Sequence, residues 1–124
     1  MTKNILYLLG AVLVIVGLLG FVNHPVLGIF EVNTLHNLIH LASGILAIVF
    51  AGMGTAQGKK FALVLGVVYA LVTILGFLLG GNIFNLIMTN MADNLLHLAL
   101  AVVFLAIGLG GRSSAPSMPS SPQM

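Results

Sequence analysis

The chain has 124 residues, of which 60% are hydrophobic and 5% charged, with a formal net charge of +2. A soluble domain carries about a quarter charged residues, so these values exclude an ordinary water-soluble enzyme, a charged disordered chain and a nucleic-acid binder built on a basic patch. Cysteine is absent, which excludes disulfides, iron–sulfur clusters and zinc–thiolate sites.

Four apolar runs follow one another along the chain. The first is Ile5 to Val22. It is longer than the ~7–15 apolar residues of a signal peptide, and it ends in Phe21-Val22-Asn23-His24-Pro25 in place of a small-residue cleavage site, so a retained span is expected. Asn23-His24-Pro25 breaks this helix, and Gly28 to Asn33 lead into the second run, Leu35 to Met53. Gly54 to Lys60 read as a link to the third run, Phe61 to Leu79, which Gly80-Gly81-Asn82 ends. Ile83 to Thr89 is apolar but too short to cross a bilayer, so it either lies at the interface or re-enters. The fourth run is Met91 to Leu109, and the Ser/Pro-rich tail 112–124 is expected to be disordered.

Each run is close to the ~20 residues that cross the hydrocarbon as a helix, whereas barrel strands are about half as long and alternate in polarity. Backbone amides in lipid must pair within their own segment, which selects the helix. The expected fold is an all-α membrane protein, a four-helix transmembrane bundle over residues 1–111 with the lipid bilayer as its surroundings. With four spans, Lys3, Lys59, Lys60 and Arg112 fall on one side and Glu31 and Asp93 on the other. The excess of positive charge on cytoplasmic segments then places both termini, the middle loop and the tail in the cytoplasm, in a membrane of the bacterial inner (plasma) type.

The second and fourth runs begin alike. Asn33-Thr-Leu-His-Asn-Leu-Ile-His-Leu-Ala42 matches Asn90-Met-Ala-Asp-Asn-Leu-Leu-His-Leu-Ala99 at a constant offset of 57 residues. The first and third runs share Leu19-Gly20-Phe21 and Leu75-Gly76-Phe77. The chain therefore reads as two tandem helical hairpins, about 5–53 and 61–109, forming a parallel repeat.

Asn33, Asn37, His40 and Gly44 recur at helical spacing in the second run, as do Asn90, Asn94, His97 and Ala101 in the fourth. Asn33 and Asn90 are suited to cap their helices. His40 and His97 stand seven residues further on, about 10 Å along the helix, inside the hydrocarbon at equal depth. Polar groups at that depth face a bundle interior or a water-filled cavity.

Three readings of this polar cluster arise. In the leading one, Asn37, His40, Asn94 and His97, with His36 and Asp93 at the rim, clamp the second and fourth helices through hydrogen bonds. The protein is then a non-enzymatic structural or regulatory membrane protein without a cofactor. In the second, His40 and His97 bind a metal or the two axial positions of a haem, with a third metal ligand from His36 or Asp93. In the third, the histidines move a proton or small solute, although only Ser43, Tyr69 and Thr73 continue toward the cytoplasm.

No Ser–His–Asp arrangement, phosphate loop or dinucleotide fingerprint is present, so no enzyme is expected. Gly10, Gly17 and Gly20, with Gly66, Ala70 and Gly76, read as close-packing positions, and their faces suggest a homo-oligomer. His24 reads as a loop residue, and Glu31 as a carboxylate favouring the N-terminus of the second helix.

Leu27-Gly-Ile-Phe-Glu-Val-Asn-Thr-Leu-His-Asn-Leu-Ile-His40 followed by Ser43-Gly44, together with Asn90-Met-Ala-Asp-Asn-Leu-Leu-His97 and Leu65-Gly-Val-Val-Tyr-Ala70, resembles the bacterial membrane family known as domain of unknown function 4383. The likeness runs from about Ile5 to Gly110. It implies a small four-helix integral membrane protein of bacterial type and no established activity.

Overall fold

The computed structural model describes residues 1–110; the tail 112–124 lies outside them. Four helices form: α1 Thr2–Gly20, α2 Thr34–Gly52, α3 Thr55–Leu79 and α4 Met91–Leu109. All four are long and apolar enough to cross a membrane. The link expected at 54–60 is mostly helix, because α3 starts at Thr55 and carries Gly58, Lys59 and Lys60 in its first turns. Lysine has a high helix propensity and its charge is tolerated at a span's end, so polarity there does not stop the helix.

The helices pair first within hairpins. A methyl group at Gly44 would sit 2.6 Å from the Gly10 carbonyl oxygen and 2.7 Å from the Val14 amide nitrogen, so α1 and α2 touch backbone to backbone. A methyl group at Gly66 would stand 2.8 Å from the Leu105 nitrogen, and one at Gly108 would stand 2.7 Å from Leu63 Cα, so α3 and α4 approach in the same manner. Small residues permit this approach, and dispersion rather than water exclusion rewards it in lipid. Gly10, Gly17, Gly20, Gly66 and Gly76 are thus buried at close contacts inside the hairpins.

The hairpins meet along a core of Leu6, Leu13, Ala51, Ala62, Leu65, Tyr69, Ala101 and Phe104. Leu6 of α1 packs at Gly58 of α3, so Lys3, Lys59 and Lys60 share one pole of the bundle. The N-termini of α2 and α4 form the other.

That second pole is built from two similar turns. Val26–Ile29 and Ile83–Leu86 each close with an amide-to-carbonyl bond, Ile29 N to Val26 O at 3.0 Å and Leu86 N to Ile83 O at 2.9 Å. Their central residues have positive φ: Leu27 55° and Gly28 70°, Phe84 53° and Asn85 58°. These angles are those of the tight hairpin turn whose twist matches antiparallel strands. Around the second turn, β1 Asn82–Ile83 pairs with β2 Ile87–Met88. The apolar segment 83–89 is thus mainly a small β-hairpin, laid across the pole of the bundle.

Candidate metal centre

The caps fix where the site begins. The Asn33 side chain accepts from the His36 amide at 3.1 Å, and Asn90 accepts from the Asp93 amide at 2.9 Å. In α4 the exchange is reciprocal, since Asp93 Oδ2 accepts from the Asn90 amide at 2.9 Å and completes a capping box. Each Asn also reaches across to the other half. Asn33 Nδ2 donates to the Leu86 carbonyl at 2.8 Å, and Asn90 Nδ2 donates to the Ile29 carbonyl at 2.7 Å.

One turn inward, three imidazoles converge. His36 Nε2 lies 3.1 Å from His40 Nε2 and 3.4 Å from His97 Nε2. The three ligand nitrogens all lie within 4.8 Å of one another, and each residue is at most 2% exposed. His36 Nδ1 donates to the Met88 carbonyl of the β-hairpin at 2.8 Å. That bond fixes the tautomer and leaves a lone pair on Nε2, directed at the other two rings. Beside the rings is a cavity of about 20 Å³, lined by His36, His40, His97, Ser43, Tyr69 and the apolar Ile39, Val68, Val72 and Ile87.

The six residues expected to form one polar cluster separate into three groups. His36, expected at the rim, is the centre, because it precedes His40 by one helical turn and lies about 40° from it around the axis. Asn37 lies about 100° around the helix from His36 and faces α1, where a methyl group at Gly20 would collide with its amide. Asn94 faces α3 in the same way at Gly76. Both Asn37 amide atoms and Asn94 Oδ1 lack a hydrogen-bond partner among the described residues. Asp93 is buried in its cap and does not join the histidines. The side-chain link between α2 and α4 is accordingly histidine to histidine, while Asn37 and Asn94 pack within their own hairpins.

A tetrahedral ion with bonds of about 2.0–2.1 Å to nitrogen holds its ligand atoms about 3.3 Å apart. Two of the three nitrogen pairs already stand at 3.1 and 3.4 Å. Direct hydrogen bonding uses the single His36 lone pair once, whereas an ion uses all three nitrogens. Haem does not fit: the His36 ring stands against both His40 and His97, with centroids 4.4 and 5.3 Å away, and the adjoining space is about 20 Å³. The path toward the lysine pole runs from Tyr69 into Leu65, Phe104, Leu13 and Leu6, and the Thr73 hydroxyl is bonded to the Tyr69 carbonyl at 2.7 Å. No polar chain continues there among the described residues.

Sequence reasoning missed the part played by the Met88 carbonyl, and a backbone group leaves no residue signal. Tyr69 was readable only as a polar residue in an apolar helix; its ring lies 5.5 Å from that of His97.

A family model described as Domain of unknown function (DUF4383) matches residues 3–110. The chain belongs to that family. No curated protein and no solved structure matches it.

Proposed function

We propose that this family member is a non-enzymatic integral membrane protein that holds one transition-metal ion, with His36, His40 and His97 as ligands. The convergence of three buried imidazoles, with His36 Nε2 at near-tetrahedral spacing from both His40 Nε2 and His97 Nε2, supports the reading. Imidazole donors suit zinc, copper, nickel and iron, and the Met88 carbonyl supplies the outer bond that orients a ligating imidazole. The ion would join a ring from α4 to two from α2, serving a structural or regulatory role. The same reading places both termini and the lysine pole on the cytoplasmic side of a bacterial plasma membrane, and treats the hairpins as products of duplication.

The deciding experiment loads the purified full chain, in detergent or nanodiscs, with zinc or cobalt and measures bound metal. One equivalent is expected, lost in His36→Ala, His40→Ala and His97→Ala. Wild-type protein that retains no metal after loading overturns the reading. The direct 3.1 Å contact between His36 and His40 favours a second reading, the metal-free clamp. That reading is supported if the same variants lower thermal stability while wild type stays metal-free.

A further inference from the structure

On the three-histidine reading, on which this inference rests, the histidines alone do not complete the ion's coordination. Three neutral imidazoles leave a divalent ion's charge uncompensated. Beyond the rings the cavity is walled by Ile39, Val68, Val72 and Ile87 and by the neutral Ser43 and Tyr69, none of which carries a charge. The carboxylate of Asp93 is engaged with its own helix cap. A bare dipositive ion in such a setting is costly, so a fourth ligand carrying negative charge lowers the energy.

The structure has room for one such ligand and a hydroxyl donor on the wall of that room. The cavity of about 20 Å³ adjoins all three rings. A space of that size accommodates a single water-sized molecule, given polar partners. Tyr69 is 3% exposed and lines the cavity; among the described residues its hydroxyl has no well-aligned hydrogen bond, and the neighbouring Ser43 side chain is the one polar group that interacts with it. A buried hydroxyl without a well-aligned partner loses about 1–3 kcal/mol, so an acceptor in that space would lower the energy. Ser43, 8% exposed, brings a second hydroxyl to the same wall.

We infer that the metal centre keeps an open fourth position, filled by one water, hydroxide or similarly small anion that accepts a hydrogen bond from the Tyr69 hydroxyl. The position is an exchangeable one, which separates this centre from a closed structural site with four protein ligands.

The test loads the full chain with copper(II) and records electron paramagnetic resonance in water enriched in oxygen-17, then in fluoride. Three nitrogen couplings report the histidines. An added oxygen-17 coupling, replaced by a fluorine splitting on adding fluoride, is the expected result. Tyr69→Phe should retain copper and weaken fluoride binding about 10-fold. Ser43→Val, which fills the cavity wall, should retain the nitrogen couplings and lose the oxygen-17 signal. A copper centre with three nitrogens but no oxygen-17 coupling and no response to fluoride overturns the inference while leaving the three-histidine reading intact. Fluoride affinity unchanged in Tyr69→Phe overturns the role of the hydroxyl. Failure to bind copper at all overturns the three-histidine reading itself.

Discussion

His36 and Asp93 occupy matching positions, three residues after Asn33 and Asn90, yet they do different work. In α4 the carboxylate turns back to the Asn90 amide and completes the cap. In α2 the imidazole turns inward, bonds the Met88 carbonyl with one nitrogen, and presents the other to His40 and His97. A short acidic chain at the third helical position suits the exposed amides of a helix start. A longer imidazole at that position reaches the bundle axis. The difference teaches that one position, changed in one half only, turns two similar hairpins into a set of three donors with no attached carboxylate.

The largest effect should come from erasing that difference. His36→Asp gives the first hairpin the pattern of the second. It should introduce a capping carboxylate beside Asn33 and reduce zinc or cobalt affinity by about 100-fold or more, beyond the 10–100-fold typical of losing an outer-shell partner. Competition with a chromophoric chelator measures it; wild-type affinity in this variant would show that His36 is not a ligand.

Next in size is the packing of the hairpins. Gly44→Ala should destabilise by about 1–3 kcal/mol, because the added methyl meets the Gly10 carbonyl and the Val14 amide, both backbone. Gly66→Ala should cost less, since much of its clash is with the movable Leu105 side chain. Thermal unfolding in detergent, compared between the two variants, checks the order. An equal or reversed order would mean that the hairpins are not packed as described.

Asp93→Ala should lower stability by about 1 kcal/mol through loss of the capping box, with metal content unchanged. A loss of metal in this variant would draw Asp93 into the site and undo the contrast with His36. The smallest local effect is expected for Asp93→Asn, which keeps an oxygen for the Asn90 amide. It should cost a few tenths of a kcal/mol, measured in the same unfolding experiment.

The four spans and their caps were legible because apolar run length and Asn at a helix start are one-dimensional signals. The start of α3 was not, because polarity at Gly58-Lys59-Lys60 resembles a loop although lysines extend a helix readily. The β-hairpin at 82–88 was hidden by its apolar content: Phe84 sits at φ 53°, an angle that its side chain does not advertise. Within the site, the depth of His40 and His97 followed from counting residues. Which rings meet depends on angle around the helix as well as depth. Depth alone put His36 at the rim and grouped Asn37 with the histidines, whereas rotation turns Asn37 toward Gly20.

The crossed bonds of Asn33 and Asn90 carry a consequence for assembly. Each asparagine closes its own helix with one atom of its amide and grips the opposite half's turn with the other. Neither hairpin can finish its pole in isolation, for half of the grip is supplied by its neighbour. Prying one turn away from the bundle would remove a bond from the amide that starts the opposite helix. The two halves thus answer mechanically to each other at the end where the histidines lie, as paired latches that share a single bolt.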